Sequence, residues 1–225
     1  MRMSAQIDFL KSIPHFSGLS LAELDSIMEL VFEKTAERGE IILFEGESAK
    51  ALYFVASGVV KLFKTSAEGK EQILKIVRPG ESFDDVSIFD GGPSVASAQA
   101  MGPIALYGLS RDDVEAILHD HPRVALNINK VLAAWARQLV SLVEDLSFRH
   151  VTARVAKILL EHVGQSPGSG PRLSQQDMAA MAGTAREMIG RSLKALEEEK
   201  AIRLEHHRIV IVNRQALREM VEVST

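Results

Sequence analysis

Hydrophobic positions change their spacing several times along this chain. Between Gly39 and Leu109, short apolar and β-branched runs alternate with glycines at intervals of roughly 8–12 residues, a pattern typical of a small barrel, roll or sandwich. Before these runs, residues 4–30 have helical spacing with an apolar stripe. The stripe consists of Leu21, Leu24, Ile27 and Leu30. The pattern therefore predicts short N-terminal helices followed by an antiparallel β-roll.

A long helix is predicted from Arg123 to about Ser147, where apolar residues recur at alternating spacings of four and three. This is the heptad spacing of helices that pair side by side. The seam consists of Ile128, Leu132, Trp135, Leu139, Leu142 and Leu146. The alternative is a helix packed along its own domain, and Val131, Val140 and Val143 favour some contact of that kind. We expect a parallel dimer helix whose outer edge also touches the roll.

Two helices joined by a tight turn are predicted between Leu173 and Ile202. Ser174 is suited to an N-cap, and Gly183 can take the left-handed conformation of the turn. The second helix has an apolar face with Met188, Ile189, Leu193 and Leu196, and a charged face with Arg186, Glu187, Arg191 and Lys194. By spacing alone, this pattern fits a DNA-binding helix-turn-helix and an ordinary helical hairpin equally well.

Three further segments surround these two helices. Residues 151–163 predict another amphipathic helix, and residues 164–171 form the clearest loop of the chain. Residues 202–213 predict two short strands around a turn, which is typical of a winged helix-turn-helix. Because neighbouring strand residues face opposite sides, we interpret His206 and His207 as part of a solvated turn rather than a metal-binding pair.

The composition excludes several classes of protein. With 225 residues, the chain suits one large or two modest domains. It contains no cysteine, which excludes disulfides, thiolate zinc sites and a cysteine-held iron–sulfur cluster and is typical of a cytoplasmic protein. We expect no membrane association, because no apolar run reaches the roughly 18 residues of a span and the N-terminus lacks a signal-peptide core.

Charge is divided unevenly between the two ends of the chain. Residues 1–147 carry a net charge of −7, and residues 148–225 carry +3. A basic C-terminal part is typical of nucleic-acid binding, and an acidic N-terminal part suits an attached sensor.

The order of these parts resembles the CRP/FNR family of bacterial transcription regulators over roughly residues 10–215. The stretch ASGVVKLFKTSAEGKEQILKIVRPGESF is similar to the family's β-roll signature, and TAREMIGRSLKALEEEKAI is similar to its recognition helix. The resemblance implies an α+β protein with a jelly-roll-like β-roll sensor (residues 1–110), a dimerisation helix region (111–147) and a winged helix-turn-helix (148–225). It also implies a homodimer that binds double-stranded DNA and contacts RNA polymerase.

Roles at the DNA follow from the same resemblance. By position, Arg186 and Arg191 would donate to guanines, and Glu187 would accept from a cytosine amino group. Ser174 and Gln175 would contact phosphates at the start of the first helix, aided by its dipole. The implied site is a palindrome with half-sites close to TGTGA, about one helical turn apart. The whole predicted DNA-binding set is Arg186, Glu187, Arg191, Ser174, Gln175, Gln176 and Lys194.

The cassette that grips the cyclic nucleotide in relatives departs from the family pattern. The glycine–glutamate pair that holds the ribose falls on Asp84 and Asp85, and the arginine–serine pair falls on Val95 and Ala96. A cyclic phosphate needs a cation or backbone donors to offset its desolvation, and two extra carboxylates oppose it. We therefore expect no response to cyclic AMP or cyclic GMP. The predicted effector pocket comprises Glu81, Phe83, Asp84, Asp85, Val95 and Ala96.

The identity of any cofactor stays open. We expect no iron–sulfur cluster, because the oxygen-sensing branch of the family holds it through N-terminal cysteines and this chain has none. Haem is the alternative, because residues 93–100 resemble the nitric-oxide and redox regulators, some of which bind haem. The candidate axial ligands are His15, His119 and His121, and we expect each of them at the surface or at a helix end.

No catalytic function is predicted. The chain has no histidine between Gly39 and Leu109, although a cupin-type metalloenzyme needs two or three inside its roll. It also lacks a P-loop, a nucleophile elbow and a zincin motif, so we predict neither catalytic nor metal-binding residues. The competing hypothesis is a ligand-binding β-roll whose C-terminal helices mediate only protein contacts, but the charged face of the second helix favours DNA.

Overall fold

A computed structural model describes residues 2–163, 173–205 and 208–222, with side chains from residue 6 onward. These residues group into two compact units, one formed by residues 1–64 and 75–138 and the other by residues 65–74 and 139–225. Each unit has a hydrophobic core of its own. The three-part division made from the sequence stays a prediction.

Helices flank the strands of the first unit. They are α1 (Arg2–Ser12), a 3₁₀ turn (Pro14–Phe16), α2 (Leu21–Met28), α3 (Asp85–Asp90), α4 (Arg111–Asp120) and α5 (Pro122–Phe148), the last of which continues into the second unit. Ser20 begins α2 with a capping box, because its hydroxyl accepts from the Glu23 amide and its own amide donates to the Glu23 carboxylate. Of the predicted stripe, Leu24 and Ile27 are buried, whereas Leu21 and Leu30 are exposed.

The strands of the first unit form the predicted antiparallel β-roll. Within the described residues, they are β1 (Phe32–Ala36), β2 (Ile41–Leu43), β3 (Ala51–Ser57), β4 (Val60–Thr65), β5 (Glu71–Val77), β6 (Ser82–Phe83), β7 (Ser97–Ala100) and β8 (Ile104–Ser110). One sheet has the order β1-β8-β3-β6, and the other has the order β2-β7-β4-β5. The register pairs Tyr53 with Gly108 in the first sheet and Val60 with Ala100 in the second.

Two details of the roll differ from the prediction. The strands begin at Phe32 rather than at Gly39, because β1 lies at the edge of its sheet and carries mostly exposed residues, which gives it no apolar signal. Within the β-rich region predicted from Gly39 to Leu109, residues 93–96 are not part of β7, since Pro93 lacks an amide donor and forms only an isolated bridge with Ser48.

The core of the first unit lies between the N-terminal helices, the β1-β8-β3-β6 sheet and the first turns of α5. Its largest fully buried side chains include Leu10, Ile13, Leu24, Phe54 and Leu109. Ile128 also belongs to this core with 5% exposure, so the predicted helix seam begins inside the protomer. On a neighbouring face of α5, three other apolar side chains are open to solvent. They are Leu126 (64% exposed), Val140 (59%) and Val143 (61%).

The second unit contains the predicted helix-turn-helix and hairpin. Its elements are the end of α5, α6 (Val151–His162), α7 (Gln175–Ala182), α8 (Arg186–Glu198), β9 (Ile202–Glu205), β10 (Arg208–Ile211) and α9 (Arg214–Glu222). Ser174 caps α7 in a capping box with Asp177, and the antiparallel hairpin pairs Ile202 with Ile211. α9 was not predicted. The predicted loop at residues 164–171 and the turn at His206 and His207 lie outside the described residues.

A single apolar cluster joins the helices of the second unit. It takes Val155 and Leu159 from α6, Met178 from α7, Ile189 from α8 and Leu217 from α9. Leu217 explains why the C-terminal segment is helical, since α9 buries this side chain against α6. No helix in the described parts of the chain is both long and apolar enough to cross a membrane.

Candidate nucleic-acid interface and effector site

The two faces of α8 are sharply divided. Ile189, Leu193 and Leu196 are buried in the core of the second unit. The side chains predicted to meet DNA lie on the other face and are exposed, namely Arg186, Glu187, Arg191 and Lys194. Met188, which was expected on the apolar face, is only half-buried. Burial of one face therefore fixes the helix in the orientation that presents the charged face to solvent.

The exposed charges at the start of α8 are not used inside the protein. In the described part of the chain, the side chains of Arg186 and Glu187 have neither a hydrogen-bond nor an ion-pair partner. Arg191 approaches only the Met188 sulfur at 3.9 Å, and Lys194 lies 4.0 Å from Glu198. Exposed pairs of this kind contribute little to stability. The hydrogen-bonding groups of Arg186 and Glu187 are therefore accessible from solvent.

The predicted phosphate contacts lie at the N-terminus of α7. Gln175 and Gln176 are exposed on its first turn. The Ser174 hydroxyl, however, is engaged in the cap, since it donates to Asp177 at 2.6 Å and accepts from the Asp177 amide at 3.1 Å. At this helix end, the side-chain amides of the two glutamines are therefore more accessible than the Ser174 hydroxyl.

In the predicted effector site, both aspartates are buried and bonded within the protein. Asp84 takes the left-handed conformation, with φ of +66°, at the position where the family pattern has glycine. Its carboxylate accepts from the Ser94 hydroxyl at 3.0 Å. Burial raises the pKa of Asp84 above its ordinary value, although the nearby Ser87 hydroxyl and the hydrogen bond from Ser94 oppose this shift. Asp85 begins α3, a helix that the sequence did not predict.

His15 corrects an expectation, because it is buried rather than exposed. It has 2% exposure, and its Nε2 lies 2.9 Å from Asp85 Oδ1, which also accepts from the Ser82 hydroxyl at 2.8 Å. The ring meets Phe54 edge-on, with centroids 5.2 Å apart. Asn127 on α5 donates to the backbone carbonyl of His15 at 3.1 Å. This histidine is therefore the internal partner of a residue predicted to face an effector.

The remaining effector-site residues do not all converge. The bond between Ser94 and Asp84 brings Asp84 to the segment that carries Val95 and Ala96. Glu81 is engaged elsewhere, since it accepts from the Arg78 amide at 2.7 Å and lies 3.6 Å from Lys75 Nζ. Phe83 is buried and stacks on Tyr53 with centroids 5.2 Å apart. Lys75, the ion-pair partner of Glu81, is half-buried on β5 and was not among the predicted residues.

The three candidate histidines do not fit an axial haem ligand. His15 is enclosed in the core with its Nε2 bonded to Asp85, which leaves no space for a macrocycle. His119 is exposed beside Asp120, and His121 lies 3.4 Å from Glu23 at the end of α4.

A β-roll with an internal effector-type cassette, followed by a helix-turn-helix with an open charged face, defines a ligand-sensor protein that binds DNA. A model of the cyclic nucleotide-binding domain matches residues 33–121, and a model of the Crp-like helix-turn-helix domain matches residues 153–220. The Cyclic AMP receptor protein of Thermus thermophilus is 37% identical over 195 residues, which cover 87% of this chain and 90% of that protein. The chain belongs to the CRP/FNR family of transcription regulators.

Solved structures agree with this assignment. FixK2 from Bradyrhizobium japonicum is 26% identical, with a TM-score of 0.74 over 84% of this chain and 96% of that one. The Catabolite Activator Protein of Thermus thermophilus is 35% identical, with a TM-score of 0.55 over 94% of this chain and all of that one. The predicted family resemblance and α+β fold are confirmed, and the protein is a DNA-binding transcription regulator of a family whose members are regulators rather than enzymes.

Proposed function

We propose that this protein is a homodimer that recognises a palindrome with TGTGA-like half-sites. The observation that carries the proposal is the open charged surface at the start of α8, where Arg186, Glu187 and Arg191 are exposed. A guanidinium fork matches the paired acceptors of guanine, and a carboxylate matches the amino group of cytosine. A polar group that has no partner in the protein loses only water when it meets a base edge.

The exposed face of α5 supports the dimer. Of the predicted seam, Leu132, Trp135, Leu139 and Leu142 are half-buried and Leu146 is exposed. A second run of solvent-facing apolar residues lies beside them at intervals of seven, three, four and three. It consists of Leu126, Ala133, Ala136, Val140 and Val143. Because this is heptad spacing, we propose that a second copy covers this face together with the later residues of the seam.

RNA polymerase is the second partner that we propose, on the family resemblance. The signal that controls the regulator stays unidentified. The relative from Thermus thermophilus is named for cyclic AMP, which makes this nucleotide the competing effector. Asp84 and Asp85 in place of glycine and glutamate, with no arginine at Val95, support a protein that does not respond to it.

Removal of Arg186 tests the DNA assignment. We expect Arg186→Ala to weaken binding to a duplex with two TGTGA half-sites by about 1–3 kcal/mol, or roughly 5- to 150-fold, for each half-site, because the bidentate contact to guanine is lost in both. Fluorescence anisotropy with the intended and a scrambled duplex measures both affinity and preference.

Lys194→Ala is the matched control on the same face of α8. It should weaken binding to both duplexes alike and reduce the salt dependence by about one counterion, as expected for a phosphate contact. Unchanged affinity and half-site preference in Arg186→Ala would show that this residue does not recognise a base.

Titration calorimetry tests the effector. We expect no binding of cyclic AMP or cyclic GMP at micromolar concentration, because Val95 and Ala96 replace the arginine–serine pair of the family cassette and Asp84 and Asp85 add two carboxylates. A variant that restores the family pattern, with Asp84→Gly, Asp85→Glu, Val95→Arg and Ala96→Ser, should gain affinity. Micromolar binding by the unaltered protein would contradict this part of the proposal.

A further inference from the structure

Three consecutive backbone carbonyls at the turn between α7 and α8 accept hydrogen bonds from side chains. A helix leaves its last carbonyls without backbone partners. Here Gln72 Nε2 donates to the Met181 carbonyl at 3.3 Å, and Arg154 Nε donates to the Ala182 carbonyl at 2.8 Å. Lys70 Nζ donates to the Gly183 carbonyl at 3.3 Å. Two of these side chains are cationic, which also suits the negative end of the helix dipole.

Gly183 is packed closely at the centre of this arrangement. Its φ is +61°, in the left-handed region that favours glycine. A Cβ at this position would lie 2.5 Å from Leu146 Cδ2 and 3.0 Å from Gln72 Oε1. The turn is therefore held on one side by the end of α5 and on the other by Gln72.

Lys70 and Gln72 come from the tip of the β4–β5 hairpin. This tip, residues 65–74, belongs to the same compact unit as the helix-turn-helix. Gln72 lies on β5, which continues to Val77 as an edge strand of a roll sheet. The hydrogen bonds of Lys70 and Gln72 therefore connect the hairpin tip directly to the turn that precedes α8.

We propose that Lys70 and Gln72 are positioning residues for DNA recognition, which form a latch that fixes the α7–α8 turn to the hairpin tip. This inference rests on the proposed function of α8. The latch contacts no DNA itself. It holds α8 at the place from which both recognition helices of a dimer can meet a palindrome at once, and a duplex with one half-site does not need that placement.

The variant Lys70→Met/Gln72→Met removes both donors and keeps the length of both side chains. We expect it to bind the palindromic duplex about 3- to 10-fold more weakly, as the loss of one or two modest hydrogen bonds predicts, and to bind a single half-site duplex unchanged. The salt dependence should be unchanged, and Lys70→Arg alone should bind like the unaltered protein. Glu68→Ala, an exposed change in the same hairpin turn, is the control and should have no effect.

Hydrogen exchange provides a measurement that needs no DNA. The amides around Gly183 and Thr184 should exchange faster in the double variant, because the turn has lost two of its restraints. Unchanged exchange, or equal weakening on both duplexes, would overturn the latch. If the unaltered protein does not prefer the palindrome to a scrambled duplex, the proposed function of α8 fails instead, and faster exchange would still establish the latch as a contact.

Discussion

Two groups of charged side chains carry the two candidate sites of this protein, one on α8 and one between β6 and α3. On α8, Arg186 and Glu187 are exposed and have no partner among the described residues. Between β6 and α3, Asp84 and Asp85 are buried and accept hydrogen bonds from Ser94, Ser82 and His15. The hydrogen-bonding groups of the first pair are open to solvent, whereas those of the second pair are used within the protein.

This difference separates recognition from structural support. Buried polar groups are almost always hydrogen-bonded, because an unpaired one costs free energy of desolvation. Asp85 fulfils this condition with side chains of its own chain, so it stabilises the fold of the β-roll. An exposed arginine has no such requirement, because water satisfies its hydrogen-bonding groups until another molecule displaces it. The same residue types thus have opposite roles at the two sites.

The largest effect on stability is expected from substitution of Asp85. Asp85→Ala leaves the buried His15 ring and the Ser82 hydroxyl without their common acceptor, and should lower the free energy of unfolding by about 1–3 kcal/mol. Urea unfolding followed by fluorescence measures it, since the only tryptophan of the chain, Trp135, lies in the same unit.

Two further variants control this prediction. Asp85→Asn keeps an acceptor oxygen of the same size and should lose less stability than Asp85→Ala. Glu187→Ala on the exposed face of α8 should change stability by no more than about 0.5 kcal/mol, as surface substitutions usually do. Equal stability of Asp85→Ala and the unaltered protein would mean that the bonds to His15 and Ser82 do not support the roll.

The helix-turn-helix could be predicted from the sequence because its determinants are local. Ser174 and Asp177 form a capping box three residues apart, and Gly183 ends α7 where the apolar spacing breaks. Ile189 and Leu193 repeat at helical spacing and are buried as that spacing indicates. Since the apolar side of α8 must face the core, the exposure of Arg186 followed from the same pattern.

The internal partners of the effector site could not be predicted, because they are distant in the sequence. His15 and Asp85 are 70 residues apart, and no local pattern relates them. The contact arises only when the 3₁₀ turn packs on the roll. The sequence around His15 therefore predicts only a histidine at the surface or at a helix end. α9 was not predicted for a similar reason, because the burial of Leu217 depends on residues of the core that are distant in the sequence.

A smaller effect, on the pH dependence of stability, is expected from substitution of Asp84. Because burial raises its pKa in the folded protein, the folded state holds this proton more tightly than the unfolded chain does. Its contribution therefore favours folding at low pH and is lost as the pH rises from the unfolded-chain pKa, about 3.9, through the raised value. Asp84→Asn has no proton to lose, so its stability relative to the unaltered protein should improve between about pH 4 and about pH 7.5. Urea unfolding followed by Trp135 fluorescence at both pH values measures this difference, and a constant backbone effect of asparagine at the left-handed position cancels from it.

Glu115→Gln, at an exposed position on α4, is the control and should show a smaller change of stability with pH. If the stability of Asp84→Asn relative to the unaltered protein stays constant or falls as the pH rises, the surroundings of Asp84 do not disfavour its charged form, and the predicted direction of its pKa shift is wrong.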